Sequence, residues 1–425
     1  MIEETAIPAE QGEYEEKRLN HKLNNFQMFT MFVKSTIGIS VFAYQYVFRN
    51  SGIPMGLAFS AVFMTAVIYG IMRIVDFAAE VEMSSKNPDL QVNNYSDLCA
   101  IVLPNMPRFS KFLGPAVLAI IFFSNFGYCI SSIITLDTTI QETLRISHTF
   151  SLLIILVGCT LVVLVILEPE KLVYFAFFTI SVVLLLLIIS FTCGSIRLFA
   201  GDFTIEDSKS ITLDSMLLSC GFVVCSLEIV NFILNMRRMM RNKSQFIRVG
   251  YSSLAFCGML FIIPSLTLHV TYGKQLENID LYYKLFSGNI FVKVLTVSMC
   301  SVFVYHIIVN CICSIELLEK LKFSQTLLRD SDQNLSSIRI LACRLVFLFL
   351  SVAVAYFVTE MQLVLAFIGL FLNTIIGLMI PGFIGMFRPA AIRRHGEGIF
   401  FRFGDGLIFA IGIMLILAYF VAKLI

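Results

Sequence analysis

Two short clusters in a mostly apolar chain hold the residue types that bind small charged solutes. The first is Lys34, Ser35, Thr36, Gly38 and Ser40, and the second is Gly221, Ser226, Glu228 and Asn231. Each interrupts an aromatic and aliphatic stretch about halfway along. In hydrocarbon, polar side chains and helix breakers are costly, so they mark the informative positions. A break in a helix exposes backbone N–H groups which, with the half-helix dipole, hold a carboxylate, and it frees carbonyls that hold an ammonium. A zwitterionic amino acid satisfies both ends. Backbone and side chains of Thr36, Ile37, Gly38, Ile39 and Ser40, facing Cys225, Ser226 and Asn231, are the expected binding residues. Lys34 and Glu228 are expected to pair as ions across the break, because an isolated charge at that depth costs about 2.5 kcal/mol or more. His306 reads first as a hydrogen-bonded core histidine and second as a proton relay. Arg344 is expected to snorkel toward the inner face.

The elements that must position these residues are membrane helices. A crossing needs roughly 20 mostly apolar residues. Eleven stretches qualify, at about 26–48, 53–75, 112–135, 150–167, 172–195, 213–235, 250–271, 290–315, 338–357, 362–386 and 405–425. The two clusters fall in the first and the sixth. Interrupted helices at matching places in two halves point to a transporter with a site at the midplane. One half then spans about 26–195 and the other about 213–357, with the tenth and eleventh stretches in 362–425 and residues 1–25 as a polar tail. The expected fold is all-α and integral to the membrane, with the eleventh helix an addition to two five-helix halves.

Composition agrees. The 425 residues are 58% hydrophobic and 14% charged, too apolar for one water-soluble core, so lipid must be the solvent for much of the chain. A net charge of +2 leaves no basic surface for nucleic acid. Of 31 Lys and Arg residues, 21 fall on the side that holds the N-terminus and 8 on the other, with Lys34 and Arg344 inside spans. Positive segments stay in the cytoplasm, so the N-terminus is expected there. The run Arg237, Arg238, Arg241, Lys243 and Arg248 reads as a topology anchor, with a lipid head-group site as the lesser reading.

The sequons at Asn94, Asn242 and Asn334 all lie on the expected inner side, which favours an organelle membrane over the cell surface. Of eleven cysteines, only Cys99 lies clearly outside an apolar stretch, so no disulfide framework is read. The five histidines are scattered without metal-ligand spacing, and no phosphate-binding glycine loop is present. Neither an enzyme nor a cofactor is expected.

These residues resemble the amino acid/auxin permease family, and within it the proton-coupled amino acid transporters. The resemblance rests on Lys34, Ile37 and Gly38; on Asn50, Gly52, Ile53 and Gly56; on Tyr95, Ser96 and Asp97; and on Gly127 with Cys129. It continues through Gly221 and Glu228, Gly273, and the stretch from Leu363 through Gly369 to Pro381. It implies an inverted five-plus-five helix repeat and proton-driven transport of small neutral amino acids by alternating access.

The chain departs from that pattern in its working parts. Ser40 stands for the second glycine of the first-helix motif, Gln45 for the following proline, and Asn235 for a proline in the sixth helix. Tyr69 holds a second-helix position that is commonly histidine in proton-coupled members, and Met72 a second such position. Ser40 and Gln45 would tend to heal the first break, and tyrosine does not titrate near neutrality without a large shift. The alternative is therefore a transport-inactive subunit packed within a larger membrane assembly, for instance a respiratory complex of the mitochondrial inner membrane. Unwound backbone around a cavity would favour transport; continuous helices, with the cavity filled by Phe or Tyr, would favour the structural role.

Overall fold

Asn24 starts the first helix: its side chain accepts from the Gln27 N–H at 2.8 Å while the Gln27 side chain accepts from the Asn24 N–H at 2.9 Å. In the computed structural model of the chain, residues 22–84, 92, 95–103, 106–165, 172–201, 211–276, 279, 281–286, 288, 290–320, 337–388 and 399–424 are described. The expected N-terminal tail up to residue 21 and the sequons at Asn94 and Asn334 lie outside them, as does the side chain of Glu228.

The helices are α1 (Asn25–Thr36), α2 (Ser40–Ala43), α3 (Gln45–Ser84), α4 (Tyr95–Val102), α5 (Pro107–Leu144), α6 (His148–Val165), α7 (Leu172–Phe199) and α8 (Leu213–Ser226). A 3-10 turn (Glu228–Asn231) separates α8 from α9 (Ile233–Met239), and α10 (Phe246–Leu276) comes next. A second 3-10 turn (Tyr282–Phe286) leads to α11 (Ile290–Lys320), then α12 (Ser337–Phe357), α13 (Met361–Phe367), α14 (Ile380–Phe387) and α15 (Ile399–Leu424). Between α13 and α14 the chain widens into two π-helical segments, Ile368–Asn373 and Ile375–Met379. Among the described residues, nine helices are long and apolar enough to cross a membrane: α3, α5, α6, α7, α10, α11, α12, the α13–α14 run and α15.

The first two expected spans are divided differently from the sequence reading. The stretch at 26–48 is split into α1, α2 and the first turn of α3, and α3 continues past 75 to Ser84. Within α3 the backbone turns at Gly52 (φ 73°, ψ 163°), a conformation that needs glycine, just before Pro54, which suits a helix start. Arg73, counted from sequence among the inner-side charges although it falls near the end of the expected span at 53–75, lies inside α3, where Arg73 Nε and Nη2 each donate at 2.9 Å to the buried carboxylate of Asp405 on α15. Arg344 is 7% exposed and lies within α12, so it is withdrawn among the helices and does not snorkel.

Around the interior, α1 packs on α10 and on the 3-10 turn after α8, α3 on α8 and α10, and α5 on α11. The π segment at Ile368–Asn373 packs on α8, and α15 packs on α14.

Candidate functional site

Both expected breaks are present. Helix α1 ends at Ile37, whose backbone is extended (φ −80°, ψ 96°), and helical structure resumes at Ser40. Helix α8 ends at Leu227 (φ −94°, ψ 63°), and the chain passes through the 3-10 turn before α9. Helix α1 packs on that turn and α2 packs on α8, so the helical pieces that flank the two interruptions lie against one another. Thr36, Ile37, Gly38, Ile39, Ser40, Cys225, Ser226 and Asn231 are all buried there. The expected healing of the first break does not occur. Ser40 opens α2, and Gln45 Nε2 reaches across to donate to the Ile279 carbonyl at 3.2 Å, a bond proline cannot make.

Several candidate side chains turn back onto their own helix. Thr36 Oγ1 donates to the Phe32 carbonyl at 2.8 Å and Ser226 Oγ to the Val223 carbonyl at 2.7 Å. Lys34 is buried, and its ammonium lies over the Tyr305 ring of α11, 4.4 Å from the centroid. His306, the next residue, is 7% exposed, and its Nε2 has no hydrogen-bond partner among the described residues. The site therefore gathers Lys34 beside Tyr305 and His306.

Sequence reading missed the network that braces the second break. Tyr128 of α5 donates its hydroxyl to the Cys225 carbonyl at 2.9 Å and accepts from Asn373 Nδ2 at 2.6 Å. Asn373 Oδ1 in turn accepts from Ser124 Oγ at 2.9 Å. Asn231 Nδ2 bonds to Asn125 Oδ1 at 2.8 Å and to Ser124 Oγ at 3.3 Å. From α4, Tyr95 donates to the Val230 carbonyl at 3.0 Å. Carbonyls that a broken helix leaves without partners are thus held by side chains of other elements. A signal was visible: Ser124, Tyr128, Ser131, Ser132 and Thr135 recur at helical spacing along one stripe of α5.

The π segment supplies the third wall. Its extra residue per turn lets Thr374 Oγ1 reach back five residues to the Gly369 carbonyl at 2.8 Å. Backbones then approach closely, since a β-carbon on Gly369 would meet the Gly221 carbonyl and one on Gly70 would meet the Gly377 carbonyl.

Aromatic rings fill the space beside the first break. Phe42 meets Tyr282 and Tyr283 edge-on, centroids 5.5 and 5.0 Å apart, and Tyr44 packs on Phe261 at 5.4 Å and Phe222 at 6.2 Å. Burial raises the Tyr282 and Tyr283 phenols well above the usual tyrosine range, so both stay neutral. At the end of the bundle where α1 begins, Leu23 pairs with the chain after α9: its N–H donates to the Met239 carbonyl and its carbonyl accepts from Arg241, both at 2.9 Å. Arg237 clamps both carboxylate oxygens of Glu82 at 2.9 and 2.8 Å. The residues at the breaks are buried, and at that end Arg237 of α9 is held to Glu82 of α3.

The second-helix positions are also resolved. Tyr69 donates to Asp405 Oδ1 at 3.0 Å, completing the Arg73–Asp405 pair, and Met72 is fully buried.

Residues 21–425 match the model of the family described as transmembrane amino acid transporter protein. A search of curated proteins gives no match.

Proposed function

The chain belongs to the transmembrane amino acid transporter family, and on that premise we propose that it is a secondary transporter that carries small neutral amino acids by alternating access, driven by protons. The observation that carries this reading is that two helices interrupted in the buried interior, at Ile37–Ile39 and at Leu227–Phe232, pack on each other through their flanking pieces. Counting α1–α2 and α8–α9 as one broken crossing each, with the nine helices long and apolar enough to cross, makes eleven. In this reading they divide into two inverted five-helix halves, about 26–195 and about 213–357 together with the α13–α14 run, plus α15.

In this mechanism the backbone from Thr36 to Ser40 and from Cys225 to Asn231 holds the amino acid. The first, second, sixth and seventh crossings rock against the rest. Glu228 carries the coupling proton with Lys34 as its electrostatic partner, and His306 is the next candidate. The N-terminus faces the cytoplasm in an organelle membrane, with lipid around the bundle.

One observation favours the second reading, a transport-inactive subunit with protein partners in a larger membrane complex such as a respiratory assembly. The rings of Phe42, Tyr44, Phe222, Tyr282 and Tyr283 are fully buried around the break, as a filled cavity requires. The unwound backbone weighs on the other side, because continuous helices were expected of a purely structural chain.

The experiment is uptake of radiolabelled glycine, alanine and proline by purified protein in sealed liposomes, with and without an imposed proton gradient. Uptake accelerated by the gradient supports proton-coupled transport. No uptake of these or of a wider panel by folded, inserted protein favours the structural subunit. Glu228→Gln is expected to abolish uptake without abolishing insertion, and unchanged uptake removes Glu228 from the mechanism.

A further inference from the structure

At the end of the bundle away from Leu23, the ends of three helices meet on one imidazole. His148 opens α6. Its Nδ1 lies 2.7 Å from Oδ2 of Asp137 on α5, and its Nε2 lies 3.3 Å from the carbonyl oxygen of Tyr356, near the end of α12. The ring also stacks on that of Tyr356, with centroids 5.4 Å apart and planes 25° apart. Gln141 Nε2 donates to the same Asp137 oxygen at 2.6 Å and lies 3.4 Å from His148 Nδ1.

A peptide carbonyl only accepts, so Nε2 must carry a hydrogen to bond Tyr356. The short contact between Nδ1 and Oδ2 then needs another hydrogen, on the ring or on the carboxyl. An arrangement that makes both bonds at once, wherever the second hydrogen rests, takes one proton more than an ionised Asp137 beside a neutral His148. Tyr356 is the penultimate residue of α12, where exposed carbonyls form the negative end of the helix dipole and favour a cation. The Asp137 side chain is 5% exposed and that of His148 30%, so water reaches the imidazole while the carboxyl lies behind it.

We propose that Asp137 and His148 form a proton-binding latch. The bound proton ties the ends of α5, α6 and α12 together, and its loss frees the end of α12 from α6. Without the proton, either Nε2 turns a lone pair on the Tyr356 carbonyl or Nδ1 turns one on the carboxylate. The other titratable groups at this end are Glu142, which is held by Lys284 of the second 3-10 turn at 2.9 Å, Arg145, which caps α5, Glu360, which precedes α13, and the neutral phenol of Tyr283. The latch rests on geometry alone; only its placement away from the cytoplasm rests on the orientation proposed above.

The test is hydrogen exchange of the full chain in lipid nanodiscs at about pH 5 and about pH 8, on either side of the usual histidine range. After correction for intrinsic exchange, the amides of Tyr356, Phe357 and Val358 should exchange about tenfold more slowly in acid, the effect of one hydrogen bond to a charged group on local opening. In His148→Gln the corrected rates should be the same at both pH values. A native chain whose corrected rates are independent of pH overturns the proposal, as does His148→Gln retaining the native dependence. If His148→Gln does not insert, Asp137→Asn is read in its place, with the same two outcomes. Neither arm uses transport, so the latch and the transport reading stand or fall separately.

Discussion

Gly369 and Gly221 lie backbone against backbone: a β-carbon on Gly369 would strike the Gly221 carbonyl, and one on Gly221 would come within 2.5 Å of the Ala366 carbonyl. Neither neighbour is a flexible side chain that can move aside. Gly221→Ala and Gly369→Ala are therefore each expected to lower stability by about 1–3 kcal/mol, the usual cost of overpacking. Thermal unfolding in detergent reads this directly. Gly158→Ala on α6, with nothing within 4 Å, is the control and should be neutral or slightly stabilising. Equal midpoints for all three would mean that the close crossing does not exist.

Tyr128→Phe keeps the ring and removes the hydroxyl that serves both the Cys225 carbonyl and Asn373. Two buried polar groups lose a partner, at about 1–3 kcal/mol each. The geometry of the second break should suffer before the fold does. A rise in KM of about tenfold or more for the transported amino acid is expected, with near-normal amounts of inserted protein. Unchanged KM would place this network outside the substrate site.

The Arg73–Asp405 pair is buried and bidentate, so removing Arg73 strands the Asp405 charge, while removing Asp405 leaves Arg73 the longer pair with Asp76 at 3.5 Å. Arg73→Met and Asp405→Ala should each cost about 3–5 kcal/mol, while the double variant should recover much of the loss. Folded yield and unfolding midpoint measure all three. Additive losses would show that the two groups do not interact.

In the sequence Cys99 lies outside the apolar stretches. On α4 it is instead fully buried, and burial pushes its thiol up to about 12. Since the thiolate is the nucleophile, little reactive form exists at about pH 7 to 8. Mass spectrometry after maleimide treatment should find Cys99 unmodified in native protein and labelled after unfolding. Rapid native labelling would contradict its burial.

The two breaks were legible because polar and glycine residues at Lys34–Ser40 and Gly221–Asn231 stand out in apolar surroundings, where each is costly. What braces them was not. A serine or threonine in a membrane helix can satisfy itself on its own backbone, as Thr36 does, or reach another helix, as Ser124 does. Sequence does not separate these cases. The partners of Tyr128, Asn373 and Tyr95 are hundreds of positions or an entire helix pair away. Arg73 was counted as an inner-side charge for a related reason: its partner Asp405 is 332 residues along the chain and could not be paired with it from sequence. Ser40 and Gln45 misled in the other direction. Their local preference for continuous helix is outweighed by tertiary contacts such as Gln45 to Ile279.

The central claim, that the two breaks are the substrate site, is tested most directly by cysteine protection. Thr36→Cys and Ser226→Cys, one beside each break, would be reconstituted and their alkylation followed by peptide mass spectrometry, with each of a panel of neutral amino acids present or absent. Both positions are buried, so modification requires opening. The account predicts that at least one amino acid slows alkylation at both positions, by about tenfold at ten times its Kd. Alkylation at rates that no amino acid changes, in protein shown to be folded and inserted, would contradict it.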